Sequence, residues 1–241
     1  MQLIKKSILV LLALSTLNSI SAIAGISLDG TRIILRAEDE KTGTSIQVRS
    51  TVYSETPYLV KTQVTQDSSG KHGNVPFITT PSLFRLEPGN TNQVRILSTP
   101  HNLATDRESV FYFRAIAVPA TRTLEQDDHY KLAGELQLAS GNVIKLFYRP
   151  KGLAISPEKS AAELVFSATT QGIKVVNPTP YYLTLSSLRV NDKAVRIKLS
   201  PGSNMIAPFS DVVFSHPKAT GTVQWQVIND YGGLDTFHGK I

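Results

Sequence analysis

The chain has 241 residues, with 25 Lys plus Arg against 19 Asp plus Glu, a formal net charge of +6, and no cysteine. The basic excess is mild and forms no Lys/Arg block, which argues against a nucleic-acid-binding surface. The lack of cysteine excludes a disulfide framework, a thiolate metal site and a thiol nucleophile, so any core must hold by packing alone.

Residues 1–24 read as an export leader. Lys5 and Lys6 form a positive n-region, Ser7–Leu14 an apolar h-region, and Ala22-Ile23-Ala24 a small-x-small cleavage pattern. Gly25 then begins a mature chain of about 217 residues, whose 23 basic and 19 acidic side chains give a net +4. The apolar run falls short of the ~20 residues of a membrane span, and no later stretch approaches that length. The expectation is an exported, soluble protein without direct membrane insertion.

Beyond the leader, helical periodicity is nearly absent. Short runs rich in Val, Ile, Thr, Tyr and Phe predict strands over 26–36, 44–53, 58–66, 91–98, 109–118 and 134–149. A second series follows at 163–168, 172–177, 181–190, 194–199, 211–215, 222–229 and 236–241. Gly, Pro, Asn and Asp separate the runs, the pattern of an all-β chain built from sandwiches. Pro150-Lys151-Gly152, with Pro157 soon after, interrupts the series with a stiff joint. The expected organisation is a leader over 1–24, an N-terminal sandwich over 25–149, a linker at 150–152 and a C-terminal sandwich over 153–241. The longest polar loop, 119–133, precedes the least ordinary strand.

That strand, 134–149, changes character midway. In Gly-Glu-Leu-Gln-Leu-Ala-Ser its first half carries Leu136 and Leu138 on one side and polar residues on the other, as a half-covered strand does. Its second half, Val-Ile-Lys-Leu-Phe, reads as buried on both faces.

No catalytic chemistry stands out. The histidines at 72, 101, 129, 216 and 238 are scattered, and no nucleophile elbow or phosphate loop is present. Asp127-Asp128-His129 could donate ligands to a cation, although adjacent charges at a polar loop tip read first as solvated. A carboxylate pair for glycoside hydrolysis would come from distant strands and leave no spacing signature; nothing favours one. Misplaced charge is more telling. Arg32 lies within Thr-Arg-Ile-Ile-Leu and Lys145 within Val-Ile-Lys-Leu-Phe. Burying a cation without a partner costs several kcal/mol, so each must snorkel to solvent, meet an internal carboxylate or receive an anionic ligand. Arg107-Glu108, Arg149 and Asp230 form a second charged set near strand ends, suited to an ion pair or triad between the two sandwiches. The single Trp225 lies in an alternating strand and reads as core.

Six motifs, taken together, resemble one family. Thr-Arg-Ile-Ile-Leu at 31–35, PSLFRLEPG at 81–89, DRESVFYFRAIAVP at 106–119, IKLFYRP at 144–150, NPTPYYLTL at 177–185 and NDYGG at 229–233 resemble the periplasmic chaperones of the chaperone–usher pilus pathway. They cover the mature chain in the family's order and spacing. The resemblance implies two immunoglobulin-like sandwiches in an L or boomerang, no enzyme activity, and no nucleotide, metal or other cofactor. It implies that Arg32 and Lys145 bind the C-terminal carboxylate of a fimbrial subunit, and that 134–149 is lent to the subunit's open groove through Leu136, Leu138 and Ser140. Pairing an unfinished sheet edge in this way is a known mode of strand addition.

Ser140 departs from the large apolar residue usual in the family, implying a shallower pocket there. Strict alternation sets Lys145 on the opposite face from the two leucines, so a bulge or twist near Gly141 is expected. Glu108, Arg149 and Asp230 match the family's interdomain charge network and are expected to be structural. Pro178 and Pro180 read as turn residues, and Ser82 replaces the second of two prolines often found before the Leu-Phe. The short stretch before Lys145 resembles the family's short-loop branch, which serves rod-like pili. The implied partners are fimbrial subunits and an outer-membrane usher, in the periplasm, with self-association through the exposed strand as a further option for the free protein. A pilus component, marked by a donor extension and an unfinished final domain, and a periplasmic sandwich enzyme or carbohydrate-binding module are the competing readings.

Overall fold

The computed structural model describes residues 25–54, 56–71, 74–120, 139–197, 204–215 and 220–241. Within them alternation governs nearly every strand, because side chains two apart share a face and one face must leave water. In the N-terminal half the strands are β1 (Ile26–Leu28), β2 (Arg32–Arg36), β3 (Thr44–Ser50), β4 (Tyr58–Thr65), β5 (Phe77–Thr80), β6 (Leu83–Leu86), β7 (Thr91–Ser98), β8 (Ser109–Pro119) and β9 (Ser140–Arg149). They form two sheets in the orders β1-β3-β7-β5 and β2-β9-β8-β4-β6. Leu35, Val48, Val60, Val94, Phe113 and Leu146 are fully buried between them. Burying each such side chain is worth about 1.5–3 kcal/mol gross.

The C-terminal half repeats the plan. A short helix α1 (Pro157–Ser160) leads into β10 (Val165–Thr169), β11 (Gly172–Asn177), β12 (Leu183–Val190), β13 (Lys193–Ala194), β14 (Met205–Ile206), β15 (Ser210–Phe214), β16 (Thr222–Ile228) and β17 (Leu234–Lys240). One sheet runs β10-β11-β15, and the other β13-β12-β16-β17 with β14 also on β12. Its core centres on Ile173, Leu185, Leu188 and Trp225, a cluster that shares no residue with the first. Trp225 stacks with Phe237 and donates its indole N–H to the Ala161 carbonyl at 3.0 Å. The chain is all-β with two sandwiches.

Several differences from the predicted strands have physical causes. The apolar run 26–36 is two strands in two sheets: β1 pairs antiparallel with β3, and β2 parallel with β9. At the switch, Asp29 accepts a bond from the Gln47 N–H at 2.9 Å, ending the first ladder before the chain crosses over. β5 and β6 are additional, short strands flanking Pro81. The strand predicted at 194–199 is reduced to Lys193–Ala194, with 195–197 outside any strand. The described part of the strand predicted at 134–149 begins at Ser140, so Leu136 and Leu138 lie outside the described residues, as do Asp127, Asp128 and His129. Of the bulge or twist expected near Gly141, the described residues contain no bulge: β8 and β9 pair in unbroken register from Ala117↔Ser140 to Ser109↔Tyr148.

Candidate functional site

β9 carries the site, and its two faces explain its sequence. Ile144, Leu146 and Tyr148 pack into the N-terminal core. Lys145, Phe147 and Arg149 share the other face, where the C-terminal half covers them. Phe147 is 2% exposed, with its ring centroid 5.8 Å from that of Tyr182. A strand buried on both faces is thus buried by two different sandwiches.

Arg149 meets its electrostatic requirement internally. Its Nε donates to Glu108 Oε1 at 2.8 Å, and its two terminal nitrogens donate to the Asp230 carboxylate at 2.6 and 2.9 Å. Burial is the largest influence and disfavours the charge. The bonds and charges of Asp230 and Glu108 nonetheless hold its pKa above the ordinary arginine value. Glu108 uses its second oxygen to accept the Tyr182 N–H at 2.9 Å, and its own N–H donates to the Pro180 carbonyl at 2.9 Å. Pro178 and Pro180 therefore shape the turn that presents Tyr182 to Glu108. Asn177 braces the same turn, donating to the Tyr181 and Ala207 carbonyls at 2.7 and 2.9 Å and accepting from Thr179.

Asp230 is placed by the β16–β17 hairpin, whose Asn229 side chain accepts the Tyr231 and Gly233 N–H groups at 3.1 and 2.9 Å. At the tip Gly232 adopts φ +83°, and a Cβ there would fall 2.7 Å from Thr31 Oγ1. Only glycine permits both the left-handed backbone and the approach to the start of β2.

Arg32 and Lys145 are direct partners in the parallel β2–β9 pair. Among the described residues neither has a carboxylate within ion-pair distance. One terminal nitrogen of Arg32 donates to the Ile228 carbonyl at 2.8 Å, its guanidinium lies 5.8 Å from the Phe147 ring centre, and its Nε is buried with no partner. Burial lowers its pKa, an effect that the more distant Asp230 and Glu108 oppose. Among the described residues Lys145 Nζ donates to Thr184 Oγ1 alone, at 3.3 Å. Burial first, and the adjacent Arg32 charge second, bring its pKa down to about 8. A cleft of about 110 Å³ opens beside Arg32, lined by Phe147, Arg149, Tyr182, Ile228 and Tyr231 among others. Thr184, Tyr182 and the Ile228 carbonyl belong to this region and were not singled out from sequence. A strand threonine is unremarkable, and a backbone carbonyl has no residue signature.

The two cations mark a boundary along β9. From Lys145 to Arg149 its outer edge is paired with β2; from Ser140 to Ile144 β8 covers the inner edge, and no strand of the described residues covers the outer one. The Asn142 side chain, on the core-facing side of β9, donates to the Ile26 carbonyl of β1 in the other sheet at 2.8 Å. The vacancy exists because β1 leaves for the other sheet. That open stretch of β9 ends where its pairing with β2 begins, at Lys145.

Known proteins share this organisation. The family described as pili and flagellar-assembly chaperone, PapD N-terminal domain, matches residues 25–154, and that described as pili assembly chaperone PapD, C-terminal domain, matches residues 159–238. The chain is 37% identical over 210 residues to the probable fimbrial chaperone protein ElfD of Escherichia coli K12, covering 86% of this chain and 83% of that protein. It is 33% identical over 231 residues to the chaperone protein FimB/FhaD of Bordetella pertussis, covering 92% and 90%. Among solved structures it is similar to a chain of the Salmonella enterica SafA pilin–SafB chaperone complex, with a TM-score of 0.74 and 31% identity over 92% of this chain and 98% of that one. The Escherichia coli chaperone DraB gives a TM-score of 0.74 at 30% identity, covering 90% and 99%.

Proposed function

The chain belongs to the family of pilus-assembly chaperones of the chaperone–usher pathway, a family of chaperones and not of enzymes, and from that premise we propose that it captures fimbrial subunits in the periplasm and delivers them to an outer-membrane usher. In this reading residues 1–24 are the export leader, 25–149 and 153–241 are the two domains, and 150–152 joins them. The observation that carries it is a pair of cations with no carboxylate partner among the described residues, at the point where the outer edge of β9 becomes free.

The subunit's C-terminal carboxylate docks on Arg32 and Lys145 by charge-assisted hydrogen bonds, displacing their weaker contacts to Ile228 and Thr184. That anchor sets the register of the preceding residues, which pair along Ile144–Ser140 and onward past Leu138 and Leu136. Backbone bonds supply affinity, and alternate side chains of the lent strand fill the subunit's groove. Ser140, part-buried and with no hydrogen-bond partner for its hydroxyl among the described residues, is the shallow position of that series. Release follows when a better-packed strand from the next subunit replaces the lent one. The short-loop assignment rests on residues outside those described.

Co-expression with exported pilins, followed by affinity recovery of the chaperone, tests this. Arg32→Ala and Lys145→Ala should each lose the co-purifying subunit while the free protein unfolds at a temperature no lower than the parent's. Recovery of subunit by both variants would overturn the reading.

A further inference from the structure

A strained phenylalanine joins the two halves away from the Arg149 cluster. Phe209 lies in the turn between β14 and β15 with φ +53°, in the left-handed region that bulky side chains avoid. The residue is 50% exposed, so core burial does not account for the conformation. The turn is instead held from beneath: the Phe209 N–H donates to the Thr179 carbonyl at 3.2 Å, and Ser210 Oγ and Asn177 Nδ2 donate to the Ala207 carbonyl at 2.8 and 2.9 Å. Backbone strain of this kind persists only where surrounding contacts enforce it, and it concentrates where a side chain has to be aimed.

The ring is aimed at the other sandwich. The Arg107 guanidinium lies over the Phe209 ring, 4.8 Å from its centre. Arg107 is itself oriented by a two-pronged bond to its neighbour Asp106, at 3.0 and 2.7 Å. Successive residues before β8 thus grip the C-terminal half in two ways: Glu108 through Arg149 and Tyr182, Arg107 through Phe209. Thr179, which supports Phe209, is next to Pro180, which accepts the Glu108 N–H. The two grips share one supporting segment and diverge from it.

We propose that the Arg107–Phe209 stack is a second fastening between the sandwiches, which limits how far they open about the 150–152 connection. Phe209 is then a positioning residue, acting on the cleft through the orientation of the domain that carries Thr184 and Ile228. Any consequence for subunit capture rests on the function proposed above; the fastening itself does not.

A chain without cysteine suits the test. Nitroxide labels on Gln93→Cys and Ser167→Cys, both exposed and one on each sandwich, report the interdomain distance by pulsed electron resonance with no subunit present. The parent should give one narrow distribution. Phe209→Gly and Arg107→Ala should each raise the opened population about two- to five-fold, the scale set by losing one exposed cation–π contact. Phe209→Tyr should restore the narrow distribution. Phe209→Gly also relaxes the backbone, so its unfolding temperature should not fall even as the distribution broadens. Distributions for Phe209→Gly and Arg107→Ala that superimpose on the parent's would overturn the proposal, whatever subunit recovery shows.

Discussion

Lys145 and Arg149 stand four residues apart on the same face of the same strand, and the molecule treats them in opposite ways. Arg149 is enclosed by Glu108 and Asp230, one carboxylate from each sandwich, and its charge is neutralised. Lys145 is set beside Arg32, a like charge, and among the described residues a hydroxyl and a carbonyl accept hydrogen bonds from the pair. A chain shaped for its own stability alone would give both groups the first solution. The contrast separates a charge cluster satisfied within the molecule from one with no carboxylate beside it among the described residues. On the proposed reading the missing anion arrives with the subunit.

Breaking the satisfied cluster should have the largest effect. Arg149→Ala leaves Glu108, 3% exposed, without its counter-ion, and removing one member of a buried ion pair costs about 3–5 kcal/mol. Equilibrium denaturation should record a loss of that size; a loss under about 1 kcal/mol would mean the cluster is not structural.

The unsatisfied pair is best probed from the ligand side. A synthetic peptide copied from the C-terminus of a co-purifying subunit should bind far more weakly as its amide than as its free acid. The deficit expected for an unmade charge-assisted contact in a buried site is about 2–5 kcal/mol, thirty-fold or more. Equal binding of acid and amide by calorimetry would place the anchor elsewhere.

How visible this contrast is in the sequence depends on which atoms create it. Strand positions were largely legible, because alternation leaves a period of two in β3, β7, β8 and β16. The sheet switch at Asp29–Thr31 was not, because β1 and β2 are both apolar and only tertiary pairing assigns them to different sheets. β5 and β6 were hidden by their shortness and by Pro81 between them. Arg32 and Lys145 announced themselves as cations in oily strands, and Glu108, Arg149 and Asp230 as charges at strand ends. Their contacts with Thr184 and the Ile228 carbonyl involve a generic residue and a backbone atom. Phe209 was illegible for a related reason: its significance lies in a positive φ, and its residue type does not suggest one.

If the Arg32–Lys145 pair costs stability in the free protein, removing one charge should return some. The Lys145 pKa is lowered from its ordinary 10.5 to about 8, so at pH 7 the folded state carries a proton that the unfolded state holds more readily. Replacing the side chain by Met, similar in length and uncharged, should raise stability. The side chain keeps some contact with solvent, so the gain is nearer about 1 kcal/mol than the full shift would imply. It should be complete below pH 8 and shrink between pH 8 and 10.5, where the native wild-type lysine sheds its proton ahead of the unfolded one. A variant no more stable than wild type at pH 7 would show that the pair is not under strain.

The same titration should appear in binding, with opposite consequence. A carboxylate ligand needs Lys145 charged, and the free protein loses that charge as pH rises through about 8. Free-acid peptide affinity should therefore fall about five-fold between pH 7 and 9, less than the full protonation change because Arg32 keeps its charge. Other groups at the site do not supply this profile. A terminal carboxylate titrates near 3.5, and burial raises the phenol pKa values of Tyr182 and of Tyr112, the cross-strand partner of Lys145, away from this range. Lys145→Arg keeps a permanent cation at the position and should flatten the curve. A wild-type affinity independent of pH, or an arginine variant that declines in parallel, would separate Lys145 from the anchor and leave Arg32 as the sole cation involved.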